Sequence, residues 1–405
     1  MVTSLVVLSP FGVFPMRSGG HAAVLHPARE LARRGIDVHL FGMGLRRFEA
    51  WRHFRSFIRE LEPGLVEQRM ISLYQWLDYL RRGRTGRPPV GSGDHLRRKA
   101  PRLLREKCHE ASAIVYESPW LFPFDPGNRP RLLVCHNVES DLVAACPHAT
   151  SADRERALAI EGQAYREASS VLCFTEEDRS RLSSLFGPRE TAVIPIGVDG
   201  TTCRPPLPAQ RESARRELGI EGRFVVLFTG SWHIPNRKAL ELVVEWARLL
   251  KPGSKVLYVV AGSVEGRPRR TENLVVSGPV ADLRPWFRAA DLFVHPVQEG
   301  SGANVKLLEA LAFGLPVVTT PFGARGIPES GREHLVVREV EKMPAAIEEL
   351  RGELGTLADL SARGRAWVEG ERSWAILARR RLEMLEQRPA RGAASPFDRQ
   401  PSTIS

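Results

Sequence analysis

Short apolar runs alternate along this chain with longer stretches in which apolar residues recur every three or four positions. The first run, residues 5–9, predicts a buried strand, and the stretch from about 22 to 34 predicts an amphipathic helix. The same pattern predicts further strands at residues 36–42, 113–116, 132–135, 171–175, 224–228, 256–262, 274–277, 292–297 and 317–320. Strands that alternate with helices in this way are typical of α/β proteins with parallel sheets.

The length of 405 residues is long for one domain and suits two. The apolar run 193–199 closes the first half, and three prolines, Pro205, Pro206 and Pro208, mark a linker after it. The chain from residue 389 is rich in Pro, Ser, Ala and Arg and has no apolar period, which predicts disorder. The predicted divisions are a first domain at 1–203, a second domain at 204–370, a final helix at 371–388 and a disordered tail at 389–405.

Cysteine usage indicates a reducing compartment. The five cysteines are widely spread, and none forms a Cys-x-x-Cys pair, which argues against a zinc site or a disulfide scaffold. The chain start lacks a basic segment followed by a long apolar one, and no stretch approaches the ~18 apolar residues of a membrane span. We therefore expect a soluble, cytoplasmic protein.

The net charge of +11 is concentrated in residues 45–107, which hold sixteen basic and seven acidic residues. No RNA-recognition or zinc-finger pattern accompanies this charge, so a nucleic-acid partner is not expected. Interleaved aromatics at Phe48, Trp51, Phe54 and Phe57 predict an amphipathic helix, followed by a second helix at 73–80 and a mobile loop at 82–93. The basic segment reads either as a solvated face or as a surface that lies against anionic lipid at the inner face of the membrane.

The most informative stretch is 291–328. A buried strand leads into a glycine-containing loop at 299–303, and a helix is predicted to begin near Asn304. A glycine loop that feeds a helix N-terminus favours phosphate, because unpaired N–H groups and the helix dipole both point outward. Lys306 adds a positive charge in the first turn, and the carboxylate of Glu309 could accept hydrogen bonds from two ribose hydroxyls.

The run Gly-x-Gly-x-x-x-Lys-x-x-Glu-Ala-x-Ala-x-Gly-x-Pro-Val-Val, residues 300–318, resembles the donor-site signature of family 4 retaining glycosyltransferases. Within that family it is most similar to bacterial enzymes that carry Lys three residues before Glu. The resemblance implies the GT-B fold: two Rossmann-like domains that face each other across a cleft, and a C-terminal helix that crosses back to the first domain.

The same resemblance implies a reaction. The enzyme would move a sugar, with retention of configuration, from a nucleotide-diphosphate donor to an acceptor hydroxyl. The donor nucleotide would be UDP or GDP, and no cofactor or metal would be needed. The chain also lacks the Asp-x-Asp motif by which the other large transferase fold holds a divalent ion. The acceptor stays open between a small molecule and a lipid-linked one, as do the donor sugar and the oligomeric state.

Site residues follow from the resemblance at matching positions. Gly19 and Gly20 would face the donor phosphates or the acceptor, and His136, in the run His-Asn-Val-Glu-Ser, would lie near the transferred sugar. The family usually has Arg and Lys after the first strand of the second domain, where this chain has Ser231, next to Gly230, and Asn236. Lys306 would then supply the missing charge. Backbone at Val280 would contact the base.

The family's Glu-x7-Glu pattern is only half present. The position eight before Glu309 is Ser301, and Glu299 lies two residues earlier. Either a bulge brings Glu299 to the sugar hydroxyls, or the Ser301 hydroxyl does that work together with the loop amides of Gly302, Ala303 and Asn304. The candidate catalytic residues are thus His136, Lys306 and Glu299.

Two other functions fit the same fold. One is a nucleotide-sugar epimerase or a phosphorylase, although the extra carboxylate pair facing the first domain that an epimerase needs cannot be placed. The other is a catalytically silent subunit that binds a partner through its basic segment. The altered residues Ser231 and Asn236 are the best support for the silent subunit.

Overall fold

The computed structural model places the chain in two compact units. One contains Met1–Ile194 and the chain from Leu377 onward, and the other is Pro195–Ile376. The residues described are 1–16, 19–43, 57–70, 90, 92–300 and 305–387. The boundary lies between residues 194 and 195 rather than between 203 and 204. The reason is that Val198 donates its N–H to the carbonyl of Arg372 at 2.9 Å, which ties this segment to the second unit.

The first unit is built on one mostly parallel sheet. In the described part of the chain its strands are β1 (Ser4–Ser9), β2 (Asp37–Met43), β3 (Phe57–Glu62), β4 (Leu65–Met70), β5 (Ala113–Tyr116), β6 (Arg131–Cys135), β7 (Ser170–Cys173) and β8 (Ala192–Val193). Their order is β3-β4-β2-β1-β5-β6-β7-β8, and only the β3–β4 pairing is antiparallel. The order therefore reverses between β1 and β5, where Rossmann-like sheets bind ligands.

Helices connect these strands. The described ones are α1 (Gly19–Ala32), α2 (Ser92–Lys99), α3 (Arg102–Glu110), α4 (Glu139–Ala144), α5 (Ser151–Glu167) and α6 (Glu176–Phe186), with a 3₁₀ turn at Pro119–Leu121. Helix α1 starts earlier than predicted, so Gly19 and Gly20 form its first turn. The predicted strand 171–175 ends at Cys173 because the Thr175 hydroxyl accepts from the N–H of Asp178 at 3.0 Å and caps α6.

The basic segment does not fold as the sequence predicts. Residues 57–62, expected to continue a helix, form β3, because their backbone pairs with β4 and this pairing overrides the aromatic spacing. Two arginines of the segment are used inside the fold, where Arg59 and the buried Arg69 both contact the carboxylate of the buried Glu67. The rest of the first predicted helix, the helix at 73–80 and most of the loop at 82–93 lie outside the described residues, as does the tail at 389–405.

The second unit is also built on one mostly parallel sheet. Its described strands are β9 (Phe224–Thr229), β10 (Val256–Ala261), β11 (Arg269–Arg270), β12 (Leu274–Val276), β13 (Leu292–His295), β14 (Val317–Thr319) and β15 (Val336–Val337). They lie in the order β11-β12-β10-β9-β13-β14-β15, with only β11 antiparallel. The predicted strand 292–297 ends at His295, before Pro296, which has no N–H to donate. The reversal point is here between β9 and β13.

The helices after residue 200 complete both units. They are α7 (Pro208–Leu218), α8 (Ile234–Leu249), α9 (Arg284–Ala289), α10 (Val305–Ala312), α11 (Glu329–Arg332), α12 (Met343–Gly352), α13 (Leu354–Glu371) and α14 (Trp374–Glu386), with a 3₁₀ turn at Val340–Lys342. Helix α14 begins in the second unit and belongs to the first from Leu377. No helix among the described residues is long and apolar enough to cross a membrane.

Candidate functional site

The carboxyl ends of β9 and β13 place the predicted phosphate-binding residues in one crevice. The two strands are parallel neighbours at the reversal point of the sheet, so the loops that follow them leave the same edge. Gly230 comes directly after β9, and a Cβ at this position would lie 3.0 Å from the Cβ of Val264 and 3.3 Å from that of Asn236. A larger residue here would therefore push Val264 and Asn236 away from the loop.

Three polar side chains form a hydrogen-bonded row in this crevice. Asn236, buried in the first turn of α8, donates from Nδ2 to Oγ of Ser231 at 3.1 Å. Lys306, in the first turn of α10, donates from Nζ to Oδ1 of Asn236 at 3.0 Å. The Lys306 ammonium uses one of its three protons in this bond, and among the described residues it makes no other hydrogen bond. Hydroxyl, amide and ammonium thus line one short edge that suits an anion.

Burial shifts the protonation of the charged groups around this row. It lowers the pKa of Lys306 to about 8, and it raises the pKa of Glu309 to about 7 against the opposing attraction of Lys306. His295, buried at the end of β13, has its pKa lowered to about 3 by burial and by the Lys306 charge, so it is neutral. Groups held this far from their ordinary pKa cost stability and are concentrated at functional sites.

Glu309→Gln is expected to stabilise the folded protein at pH 8 and to weaken its hold on a nucleotide. Because the folded pKa of Glu309 lies above its ordinary value of 4.5, stability is lost as pH rises from 4.5 to 7. Removing this ionisation should raise the free energy of unfolding by about 1–3 kcal/mol at pH 8 and by almost nothing at pH 4.5. The urea midpoint measures the effect, with Glu245→Gln, an exposed position on α8, as the control. A midpoint that does not move at pH 8 contradicts it.

The other residues predicted to bind the donor lie elsewhere at this edge of the sheet or outside the described residues. Glu299 pairs with Lys238 at 2.7 Å, and both side chains are about half exposed. Its contact with a sugar stays a prediction. The loop Ser301, Gly302, Ala303 and Asn304 lies outside the described residues, so the structure does not choose between Glu299 and Ser301. Val280 lies in the segment after β12 and is half-buried.

In the first unit, the loop after β1 is held by buried charge. Glu67 on β4 accepts hydrogen bonds through Oε1 from the backbone N–H of Val13 at 2.9 Å and from Arg69 at 3.1 Å. The pKa of Glu67 is lowered, because the attraction of Arg69 and the bond from Arg59 outweigh its burial. This cluster fixes the loop that leads to α1, whose first N–H groups have no partner within the helix.

Three neighbouring strands of the first unit each end in a residue of a second cluster. Glu117 follows β5, His136 follows β6 and Phe174 follows β7. Nε2 of His136 lies 2.7 Å from Oε2 of Glu117, and its ring meets the ring of Phe174 edge-on at 4.9 Å between centroids. The predicted His136 is therefore held on two sides at the ligand-binding edge of the sheet.

Two charged residues linked to His136 were not predicted as site residues: Glu117 contacts it directly, and Arg381 contacts Glu117. Glu117 is 2% exposed, and Nη1 of Arg381, on α14, lies 3.4 Å from its Oε1. A signal for Arg381 exists in the sequence. One stripe of the helix carries Leu377, Arg381 and Leu385, and all three are buried. A charged residue thus occupies a position where the helical period predicts an apolar one.

The loop that carries His136 is fixed by a buried carboxylate. Glu161 on α5 accepts hydrogen bonds from the N–H groups of Glu139 and Ser140, both at 2.8 Å, at the start of α4. Burial and the nearby Glu161 raise the pKa of Glu139 to about 7, and Nε1 of Trp120 donates to Oε2 of Glu139 at 3.2 Å. A second titratable group thus lies three residues after His136.

Two family models match the chain. The model "Glycosyltransferase Family 4" matches residues 17–201, and the model "Glycosyl transferases group 1" matches residues 223–352. The first match covers the strands β2 to β8, and the second covers β9 to β15.

Two curated relatives and one solved structure illustrate the similarity. A GDP-mannose-dependent monoacylated alpha-(1-6)-phosphatidylinositol monomannoside mannosyltransferase of Corynebacterium glutamicum is 30% identical over 229 residues, 52% of this chain and 60% of that relative. A D-inositol 3-phosphate glycosyltransferase of Nocardia farcinica is 27% identical over 398 residues, 90% of this chain and 84% of that relative. HepE of Anabaena, solved in complex with UDP, has a TM-score of 0.65 at 16% identity, covering 95% of this chain and 100% of that one.

The two Rossmann-like sheets, each with polar residues at its reversal point, match the GT-B fold of the solved structure. The chain belongs to the family 4 glycosyltransferases, which take their sugar from a nucleotide-sugar donor. The predictions of family, fold and general function are thereby confirmed.

Proposed function

We propose that this protein transfers a sugar from a nucleoside-diphosphate donor to an acceptor hydroxyl and retains the configuration of the anomeric carbon. The observation that carries the proposal is the row of Ser231, Asn236 and Lys306 at the carboxyl ends of β9 and β13. In this row the unusual residues Ser231 and Asn236 act through Lys306. Their presence therefore favours a working donor site over a silent subunit.

The chemistry that this row can supply is stabilisation of the leaving diphosphate. Negative charge grows on that group as the bond to the sugar breaks, and a fixed ammonium beside it lowers the barrier by several kcal/mol. In the proposal Lys306 provides this charge without a divalent ion. The departing phosphate takes the proton of the attacking hydroxyl on the same face of the sugar, so no pair of catalytic carboxylates is required.

For the donor base and for the acceptor, we propose a chemical class rather than one compound. The relatives include an enzyme named for GDP-mannose and a structure with bound UDP, so both nucleotides belong in the donor panel, with the base at Val280. One relative is named for inositol 3-phosphate, a small acceptor, and the other for a phosphatidylinositol monomannoside, a lipid-linked one. These names support a polyol acceptor in either form.

The test is incubation of the purified protein with UDP-glucose, UDP-N-acetylglucosamine and GDP-mannose. We expect slow release of nucleoside diphosphate from one donor, at a rate that EDTA does not change. NMR of the glycoside formed with a supplied polyol should show the donor's anomeric configuration. Conversion of a donor to its C2 epimer would establish the epimerase instead. Absence of both binding and release for every donor would establish the silent subunit.

The basic segment is proposed to bring this cytoplasmic enzyme to the inner face of the membrane. Each basic residue near an anionic surface contributes roughly 1 kcal/mol. Part of the described charge is already neutralised, since Arg102 pairs with Glu106 and Lys107 with Glu110. The exposed basic residues at the end of α2, Arg97, Arg98 and Lys99, are available to lipid.

Flotation with phosphatidylglycerol vesicles is expected to carry the protein upward at low salt and to leave it behind at high salt. Changing Arg97, Arg98 and Lys99 together to Gln should weaken this binding severalfold, because the attraction is electrostatic. The matched control changes Arg216, Arg248 and Lys251, exposed on the second unit, to Gln. Absence of binding at low salt, or equal binding to neutral phosphatidylcholine, removes the membrane proposal.

A further inference from the structure

Arg381 is a fully buried charge in a helix that otherwise packs apolar residues inward. Its side chain is 4% exposed, and the carboxylate it contacts is that of Glu117, at 3.4 Å. Its guanidinium carbon lies 5.8 Å from the ring centroid of Phe174, which also packs against His136. Arg381 therefore reaches the cluster at the strand ends both through an ion pair and through an aromatic face.

Such a buried ion pair contributes little to the stability of the fold. Burying two charges costs several kcal/mol, and an apolar pair of the same size is often at least as stable. The guanidinium is also incompletely satisfied, since its Nε and Nη2 atoms have no hydrogen-bond partner among the described residues. What the pair does achieve is to orient the Glu117 carboxylate at the reversal point of the sheet, with one oxygen toward Arg381 and the other toward His136.

The contact with the Glu117 carboxylate determines which ring nitrogen of a neutral His136 carries the proton. A carboxylate only accepts hydrogen bonds, so Nε2, 2.7 Å away, must be the N–H that donates to it. In the neutral ring Nδ1 is then an acceptor, and in the described part of the chain it has no hydrogen-bond partner. His136 consequently presents an acceptor nitrogen to whatever group binds beside it, as in other sites where a carboxylate orients an imidazole.

We propose that Glu117 and Arg381 are positioning residues that hold His136 in the Nε2–H tautomer, with Nδ1 free to accept a hydrogen bond from a hydroxyl of the reacting sugars. The inference rests on the proposed function, in which His136 acts beside the transferred sugar. It assigns to helix α14 a part in turnover, through the chain of contacts from Arg381 to Glu117 to His136. Neither residue touches the substrate.

The tautomer can be read directly in the wild-type protein. Nitrogen-15 NMR of the histidine rings, at a pH where His136 is neutral and with His136→Gln to assign its signals, should show a protonated Nε2 and an unprotonated Nδ1. In Glu117→Gln the carboxamide can also donate, so the single tautomer should give way to a mixture. A protonated Nδ1 in the wild type overturns the proposal, and this result does not depend on any variant of Glu117 or Arg381 folding.

Kinetics then test whether the chain of contacts serves turnover. Glu117→Gln and Arg381→Met are each expected to lower kcat about 10- to 100-fold with nucleoside-diphosphate affinity unchanged, as is usual when a supporting residue of a site is lost. Arg381→Lys should recover part of kcat. The matched control is Arg380→Met, the adjacent exposed arginine, which should behave as wild type.

The decisive comparison repeats both substitutions in a His136→Ala background. Residues that act through His136 should have no further effect on kcat there, whereas independent effects would add. Full additivity, or an equal loss in the Arg380→Met control, overturns the proposal. Unchanged turnover in His136→Ala alone would instead remove the role of His136 in the proposed function, and the NMR result would still decide the positioning.

Discussion

His136→Ala is expected to lower kcat by about 10²- to 10³-fold while nucleoside-diphosphate affinity stays within about twofold of wild type. Loss of one fixed polar contact to a transition state typically lowers kcat by this factor. The selectivity follows from location, because His136 belongs to the first unit and the Ser231–Asn236–Lys306 row to the second. Steady-state kinetics with the accepted donor measure kcat, and calorimetry with the nucleoside diphosphate measures binding.

His148→Ala is the control for this experiment, since His148 is an exposed histidine of the same unit. It should change neither quantity. Circular dichroism and the urea midpoint separate a chemical effect from a loss of fold. If kcat and affinity fall together in His136→Ala, the residue supports the packing of the first unit and does not act on the sugar.

Lys306→Ala is expected to weaken nucleoside-diphosphate binding tenfold or more at pH 7. A charge-assisted hydrogen bond contributes roughly 1.5–3 kcal/mol, and each 1.4 kcal/mol is a factor of ten in affinity. Lys251→Ala, at an exposed lysine after α8, is the matched control. Affinity equal to wild type in Lys306→Ala would show that the phosphates bind elsewhere.

The pH dependence gives Lys306 a second signature. Its pKa in the free protein is lowered to about 8, so the ammonium is mostly present at pH 7 and mostly lost at pH 9. Because the proposed site binds the diphosphate through this ammonium, affinity should decline toward tenfold per pH unit above pH 8 in the wild type. Lys306→Ala should lack this decline. Calorimetry at pH 7 and pH 9 tests both statements with the same samples.

Much of the fold could be predicted because its signals are local. The motif occupies consecutive residues, 300–318, and the strand predictions on either side of it differ from the observed strands by one or two residues. The substitution of Ser231 and Asn236 for the usual cations was also visible, and the structure brings Lys306 to Asn236 as that substitution requires. Whether this row binds the donor stays a prediction.

The other features of the fold and site could not be predicted, because they depend on contacts between residues far apart in the chain. Nothing near Phe57 in the chain indicates that its backbone pairs with β4, and the basic spacing around Arg59 and Arg69 reads as a solvated face although both arginines contact Glu67. Glu117 ends a predicted strand, but its partners lie on other elements. Arg381 could have been noticed only as a charge on an apolar stripe.

The contact between Arg381 and Glu117 joins residues 264 positions apart, and this separation has a consequence for synthesis. Chains are made from the N-terminus, and domains generally fold as they emerge. The first unit therefore leaves the ribosome with its sheet complete and Glu117 buried without its cation. The whole second unit must then be made before Arg381 arrives, so the nascent chain completes the Ser231–Asn236–Lys306 row before it completes the ion pair beside His136.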